Sequence, residues 1–592
     1  YRQFSLTLAM AIVISGINAL TLTPALCALL MKPHQPGKKR KSLLQRFYGS
    51  FNRVYDKTEN KYGKAVRWIA GRKIATLAML AFFLILTWGT SSLLPSGFIP
   101  AEDQSMIYVN VTTPPGSTVE RTEAVLDEVQ RAIINEENIE NTSTLAGYSL
   151  LSDISGASYG MAMINLKSWD ERSVSINSII SKLRSKTNYI SDASIEFFLP
   201  PTVPGFGNAG GFELRLLNKN RGDDLNETAK VSESFLAALN KHPVIEGAFS
   251  SFDPNFPQYM IHIDQEMAAK QGVTIDNAMS TLQTLLGSYY ATNFIRFGQM
   301  YKVMLQALPE YRATPEDVLR LYVKNNRGEM VPFSNFIRME KVFGPEQITR
   351  YNMYTAAMIN GDAAPGFSSG EAITAIQEVA DSTLPRGYTY EWSGMTREQI
   401  ISGNQAVYIF IICLLFVYLL LAAQYESFGL PMAVILSLPV GIAGAFGVLL
   451  MAGLENNIYA QVALIMLIGL LGKNAILIVE VAVQRQRQGY TPLEAAKAGA
   501  VSRLRPILMT SFAFVAGLIP LCMASGAGAM GNRSIGTAAA GGMLVGTVFG
   551  IFLVPGLYVL FTRKKKNSIK KEDDMPSVAT NPSISHSNQP FE

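Results

Sequence analysis

Lys473 stands in an apolar run, Gly469-Leu470-Leu471-Gly472-Lys473-Asn474-Ala475-Ile476-Leu477-Ile478-Val479-Glu480. An ammonium in such a run has two possible jobs. It sits in a permanent structural ion pair, or it pairs with an acid whose protonation breaks and remakes the pair. If the run crosses a bilayer as a helix, Lys473 lies about ten residues from the basic end, roughly 15 Å deep at 1.5 Å per residue. A lysine stem snorkels only a modest part of that distance. Left unpaired there, it costs at least ~2.5–3.5 kcal/mol on insertion scales. None of the chain's apolar runs contains an Asp, and Glu480 is two turns away. The acid that pairs with Lys473 is therefore expected from a helix outside this sequence. The transport reading is preferred over the purely structural pair, because charges inside a membrane mark ion pathways by default.

A second polar pair follows in Arg503-Leu504-Arg505-Pro506-Ile507-Leu508-Met509-Thr510-Ser511. Arg503 and Thr510 are seven residues apart and share a helix face. Thr510 falls near the depth of Lys473. A back-bond from its hydroxyl to its own helix is as good a reading as a role in proton movement. Arg503 alone reads equally as an anchor at the helix end.

Seven apolar runs can carry such residues across a bilayer, which needs about 20 residues of helix. They lie near 6–31, 74–94, 406–423, 430–452, 458–483, 506–524 and 535–561. Lys and Arg cluster on one side of this arrangement: Lys32, Lys38 to Lys41 and Arg46, then Arg67, Arg72 and Lys73, then Arg485 to Arg505, then Arg563 to Lys566. The opposite connections, 453–457 and 525–534, carry only Arg533. The basic side is expected to be cytoplasmic and the block 95–400 to lie outside. The basic clusters are read as topology anchors, not as nucleic-acid sites. Residues 33–73 read as an amphipathic interfacial segment with Phe47, Phe51, Tyr55 and Tyr62 on its apolar side. The polar tail 563–592 reads as disordered. Because the chain opens on Tyr1 and an immediate apolar run, it is expected to begin mid-protein.

The outer block alternates strands and helices. A strand at 107–113 is followed by a helix begun by Ser117, with Glu120 placed for a capping box. Strands near 138–146 and 161–169, a helix near 174–188 and a strand at 195–199 complete a β-α-β-β-α-β order. A second pattern opens with strand 212–217, helix 223–241 and strand 246–251. About 100 residues later come strand 353–360, a helix begun by Ser368 and Glu371, and strand 388–393; periodicity does not join them to the second pattern, and only the family resemblance given below implies that they are its other half.

Composition excludes little but agrees. Hydrophobic residues make up 48% and charged residues 16% of 592, which suits a membrane protein with a large water-exposed part. Cys27, Cys413 and Cys522 lie far apart in apolar runs, without metal-ligand spacing, and read as small core residues. No nucleophile–base set, phosphate loop or metal cluster is recognisable, so neither an enzyme nor a cofactor or metal is expected.

The motifs carry a resemblance. "GLLGKNAILIVEVA", "RLRPILMTSFAF", "AAQYESFGLPMAVILSLPVG" and "LTLTPALCALLMKPH", with "FIPAEDQ", "PGSTVERT", "DQEMAAKQGV" and "AAPGFSSGEA" in the outer block, are similar to the hydrophobe/amphiphile efflux branch of the resistance-nodulation-division (RND) superfamily, the AcrB/MexB type. The likeness runs from residue 1 to about 562. It implies a polytopic α-helical membrane protein with an α+β periplasmic domain built of ferredoxin-like (βαββαβ) porter subdomains and a docking subdomain. The implied divisions are 1–31, a transmembrane helix and the sixth of twelve; 32–73, a cytoplasmic connector; 74–94, a transmembrane helix; 97–200, a porter subdomain; 201–256 with 349–400, a second one; 257–348, the docking subdomain; 401–562, five transmembrane helices; and 563–592, the tail.

The resemblance further implies proton-driven export of amphiphilic small molecules from the bacterial inner membrane. The implied assembly is a homotrimer working with a periplasmic adaptor (membrane fusion) protein and an outer-membrane channel. Lys473, Arg503 and Thr510 match the family's proton-relay positions, whose two aspartates would lie in a first half absent here. Tyr148, Leu150, Met163 and Phe197 match substrate-pocket positions. Three of them depart from the family's phenylalanines, and core packing is an equal reading for each. Gly147, Gly156 and Gly160 fall in a Ser/Gly-rich stretch matching a mobile switch loop. Two other functions compete: heavy-metal export by the same fold, which would favour clustered soft or imidazole ligands, and a non-transporting membrane accessory protein. The outer block has only His242 and His262 and no Cys, and Lys473 argues for transport, so drug export is preferred.

Overall fold

The computed structural model describes residues 2–30, 43–220, 224–403 and 405–562. The expectations for Lys32, Lys38 to Lys41, the tail and the side chains of Phe47 and Phe51 lie outside the described residues. Helices α1 (Arg2–Leu20) and α2 (Leu22–Leu30) form a nearly continuous apolar rod, unburied along its length. Helix α3 (Leu43–Gly71) follows, then α4 (Lys73–Leu93). One side of α3 is buried: Tyr62 and Val66 pack with Ile478, Ala482, Ala496, Ala500 and Leu504. The Tyr62 hydroxyl donates to the Ile551 carbonyl at 2.9 Å. The Arg505 guanidinium lies 5.7 Å over the Tyr55 ring. The amphipathic connector thus seals the basic end of the later helices.

The middle of the chain folds into two sheet-and-helix units. The first runs β1 (Met106–Thr112), α5 (Val119–Ile133), β2 (Ile139–Ser149), β3 (Ile154–Leu166), α6 (Ile176–Thr187), β4 (Ser194–Phe198). Its strand order is β2-β3-β1-β4, every pairing antiparallel. Alternation along the strands sets the core. Ile107, Val109 and Val111 face Val125, Leu126 and Val129 of α5 and Ile179 and Leu183 of α6. Two expectations are corrected here. Helix α5 is capped by Thr118, whose side chain accepts the Arg121 N–H, and not by Ser117, whose hydroxyl is spent on the Pro114 carbonyl. The stretch 147–160, expected as a mobile loop, is a β-hairpin in which Tyr148 pairs with Ser155 and Ser149 with Ile154.

The second unit contains β5 (Phe212–Asn218), α7 (Leu225–Leu239) and β6 (Ile245–Ser250). The chain then departs through β7 (Phe256–Ile263), α8 (Gln265–Lys270), α9 (Ile275–Leu286), β8 (Tyr289–Arg296), β9 (Gln299–Leu305), α10 (Pro315–Leu319), β10 (Tyr322–Lys324), β11 (Met330–Pro332) and β12 (Ile337–Gly344). It returns as β13 (Arg350–Tyr351), β14 (Tyr354–Ala363), α11 (Ser369–Thr383) and β15 (Tyr388–Trp392). One sheet joins both halves, ordered β13-β14-β5-β15 with β6 on β14. Ser368 and Glu371 form the capping box that starts α11, as expected. The excursion has a core of its own around Leu282, Val323, Phe333 and Phe336.

The C-terminal part is helical: α12 (Gly394–Ser402), α13 (Gln405–Tyr425), α14 (Leu430–Ile435), α15 (Leu438–Met451), α16 (Ile458–Arg487), α17 (Pro492–Cys522) and α18 (Ala529–Phe561). Among the described residues, seven stretches are long and apolar enough to cross a membrane. The sixth begins earlier than expected. Thr491 and Glu494 form a capping box with Pro492 in the first turn, so α17 starts fourteen residues before Pro506, which lies inside it. The cysteine expectation is also corrected: Cys27 is exposed, and Cys413 and Cys522 are half-buried. A helix facing lipid can carry apolar residues on its outer side, so apolarity there does not require burial in protein.

Candidate functional site

The polar level of the helical bundle is set by Asn474 on α16, Ser511 on α17 and Thr547 on α18. All three are buried. Asn474 Nδ2 donates to Ser511 Oγ at 3.3 Å and lies 3.5 Å from Thr547 Oγ1, whose hydroxyl donates to Ser511 Oγ at 2.9 Å. Three apolar helices are thereby pinned at one height. Close packing adds to this. A Cβ on Gly546 would lie 2.6 Å from Leu471, and one on Gly441 would lie 2.0 Å from it.

Lys473 and Thr510 each precede one member of this triad by a single residue. Both are exposed, whereas the triad residues next to them are buried. Among the described residues Lys473 has no ion pair or hydrogen bond. The Thr510 hydroxyl donates to the carbonyls of Pro506 at 3.0 Å and Ile507 at 3.1 Å. The back-bond is thus the state observed. Arg503, two turns away, is half-buried, and its Nε has no hydrogen-bond partner among the described residues. The structure therefore places Lys473 and Thr510 at one level and Arg503 roughly 10 Å along the same helix.

The expected pocket residues do not form one set. Met163 shares the helix-free face of the first sheet with its cross-strand partner Tyr108, whose ring lies 5.8 Å from that of Phe198. Phe197 points to the opposite face, into the core with α5 and α6, and is 2% exposed, yet it also borders the cavity between the units described below. Adjacent strand residues face opposite ways, so the aromatic on the open face is Phe198. The β-period alone could have shown that. The Tyr148 hydroxyl donates to Asp153 at 2.7 Å across the hairpin turn, and Leu150 sits half-buried in that turn. On the same open face, Ser149 donates to Asn110 at 2.8 Å, and burial pushes the Glu196 carboxyl above its usual range.

The three glycines differ in what they require. Gly147 has φ +90° and open space around it, so its demand is conformational. Gly156 and Gly160 are limited by their neighbours. A Cβ would lie 2.7 Å from Glu346 Oε1 at Gly156 and 2.8 Å from Leu126 at Gly160.

A cavity of about 410 Å³ lies where the two sheet units meet the ends of α15, α16 and α18 near Leu454, Asn457 and Met530. Phe98, Phe198, Phe212, Phe367 and Met395 give it apolar wall. Arg184 of α6 bridges to Glu246 of β6 at 3.1 Å across the gap between the units. Asp362 stands in the same wall. Although Asp362 keeps an exposed surface, loss of water around its carboxyl pushes it up to about 6, offset in part by Arg184 and reinforced by Glu246. Its size and mixed lining fit a small amphiphilic molecule.

Two comparisons bear on this arrangement. The model of the AcrB/AcrD/AcrF family matches residues 1–562. The chain belongs to that family. It is 39% identical over 563 residues to the multidrug/solvent efflux pump membrane transporter MepB of Pseudomonas putida, covering 94% of this chain and 53% of the relative. It is 37% identical over 581 residues to the multidrug export protein AcrF of Escherichia coli K12, covering 95% and 54%. With the multidrug resistance protein MdtF of Escherichia coli O6:H1 the identity is 35% over 580 residues, covering 96% and 55%. The chain thus spans about half the length of the curated relatives it matches. The RND resemblance read from the motifs holds along the whole matched region.

Proposed function

We propose that this chain is part of a proton-driven exporter of amphiphilic small molecules, the inner-membrane permease of a tripartite system. One observation carries the reading: Lys473 is exposed at mid-height on a helix apolar enough to cross a membrane. A bare ammonium against lipid is costly, so further protein with a carboxylate must cover that face. An ammonium whose partner gains and loses protons changes its pairing with each proton, and the helices that hold it shift. In this reading Lys473 is the fixed cation, while the Thr510 hydroxyl accepts or relays a hydrogen bond and the Arg503 guanidinium donates one as the pair opens. The two sheet units act as ferredoxin-like porter subdomains, and the excursion from β7 to β12 acts as the docking subdomain toward an adaptor and an outer-membrane channel. The cavity between the units, with the open face bearing Tyr108, Met163 and Phe198, is the drug path. The hairpin through Gly147, Tyr148 and Leu150 is the switch element beside it. A homotrimer in the bacterial inner membrane is the expected assembly, as the family resemblance implies.

The test is dye efflux from energised cells carrying the full-length protein at matched membrane abundance. Lys473→Met is expected to reduce efflux to background while insertion is unchanged. Efflux at the unsubstituted rate would remove Lys473 from the mechanism.

A further inference from the structure

We propose that the strap 95–103 is the mechanical joint between membrane helices and outer units, with Glu102 as its link to α18. The inference rests on the transport reading above and names the part that carries the motion.

The strap touches four separate bodies within nine residues. At its start it lies in parallel register beside the loop that opens α16. The Asn456 N–H donates to the Pro95 carbonyl at 2.9 Å, the Gly97 N–H to the Asn456 carbonyl at 3.3 Å, and the Ile458 N–H to the Phe98 carbonyl at 3.0 Å. The Ser96 carbonyl also accepts the Gly370 N–H at 3.1 Å, in the first turn of α11 in the second unit. At its far end Asp103 accepts from Arg172 at 2.6 Å and, through its carbonyl, from the Trp169 indole at 3.1 Å. Both donors belong to the first unit.

Glu102, between these anchors, is the unusual contact. Its carboxylate accepts the Gly531 N–H at 2.8 Å and the Met530 N–H at 3.1 Å. These are the second and third residues of α18. That helix begins at Gly528 with no side-chain cap of its own. A carboxylate 428 residues away in sequence therefore does what an N-cap residue ordinarily does, and its charge meets the positive end of the helix dipole. Glu102 is 9% exposed, so the bond is sheltered from water. Sixteen residues further along α18, roughly 24 Å at helical rise, Thr547 joins Ser511 and Asn474 beside Lys473. One continuous helix thus spans the distance from the pinned charge level to the strap. A shift of α18 along its axis is delivered to a carboxylate rigidly tied to both outer units.

The experiment uses the full-length protein in liposomes under an imposed pH gradient. It reads Vmax and KM for a fluorescent cationic dye, dye-stimulated proton uptake, dye affinity in detergent, and melting temperature. Glu102→Ala is expected to lower Vmax at least tenfold at saturating dye and abolish the dye-stimulated part of proton uptake, an effect larger than any change in KM or dye affinity that follows from its place in the cavity wall. Glu102→Gln, which keeps one acceptor, is expected to fall between them. Adding Ala529→Asp to Glu102→Ala puts an acid in the first turn of α18 without touching the strap. It should restore the melting temperature and leave Vmax low. Recovery of Vmax and melting temperature together would make Glu102 only a helix cap and overturn the proposal, as would a near-normal Vmax in Glu102→Ala. If the unsubstituted protein shows no gradient-driven dye flux, the transport reading fails by itself. The joint is then judged by amide exchange. Lys473→Met should alter protection of amides 96–103 when Glu102 is present and not in Glu102→Ala; equal change in both backgrounds overturns it.

Discussion

Asn474 Nδ2 lies 3.3 Å from Ser511 Oγ, and this contact puts Lys473 and Thr510 at one height on neighbouring helices. The pair is small in energy and large in placement. Hydrogen bonds between membrane helices are worth about 0.6 kcal/mol on average and reach ~1.7. Asn474→Ala is therefore expected to cost about 1–2 kcal/mol of stability and yet to slow transport at least tenfold. Unfolding of the purified protein and dye efflux at matched abundance measure the two. Transport at the normal rate would mean that Lys473 does not depend on this register.

The glycines of the hairpin should separate by mechanism. Gly147→Ala forces a left-handed residue at φ +90° in open space, a penalty of about 1–2 kcal/mol. Export of large drugs should suffer more than that of small ones, because only the hairpin's bend is altered. Gly160→Ala drives a methyl into Leu126 and Thr122 under α5, an overpacking cost of about 1–3 kcal/mol. Its loss should be uniform across drug sizes and accompanied by a lower melting temperature. Inhibitory concentrations for drugs of graded size compare them; the same profile for both variants would contradict the division.

Asp362 gives a pH dependence of definite sign. Its carboxyl has an ordinary value of 3.8 and rises to about 6 in the folded protein, chiefly through crowding of protein around it in the cavity wall, even though Asp362 keeps an exposed surface. A raised acid binds more protons folded than unfolded between those values, so stability falls as pH rises through that window. Its contribution is fully present below pH 3.8 and lost above about 6. Asp362→Asn should match the unsubstituted protein near pH 4 and melt higher at pH 7.5. A constant difference between the two melting curves at every pH would exclude Asp362 as the titrating group.

The orientation of the chain is tested by single cysteines in a background without Cys27, Cys413 and Cys522. Met353, 86% exposed in the second unit, is expected to be labelled in intact cells by a reagent that crosses the outer membrane alone when changed to Cys. Gln488→Cys, at the end of α16 that carries Arg485 and Arg487, is expected to react only after the inner membrane is opened. The reverse pattern would invert the assignment.

Local sequence rules reached much of this fold. The apolar runs, the β-α-β-β-α-β order and the Ser368–Glu371 box are all periodic or short-range signals, and the structure has an element at each, with the largest boundary differences at the starts of α17 and β3. The early start of α17 was also written locally, in Thr491-Pro492-Leu493-Glu494, but polar residues in its first turns masked it as a loop. The hairpin through Gly147 was hidden because Ser and Gly signal turns by composition, whereas here cross-strand pairing holds them extended. The site was harder. Lys473 announces itself by cost. Asn474 beside it does not, because a buried amide is read only when its partners on two other helices are known. The bond from Glu102 to Gly531 leaves no local trace in either segment.

The antiparallel ladder of β7 with β12, from Phe256 opposite Gly344 to Ile263 opposite Ile337, makes the long excursion enter and leave through one doorway. The five-stranded sheet is closed on the near side of this ladder by β14 and β5 pairing with each other. Changes of sequence at the far end of the excursion are thereby separated from the register of the five-stranded sheet. A lineage could trade residues 264–336 wholesale for a homologous stretch, and a laboratory chimera joined at Ile263 and Ile337 should fold as readily as either parent.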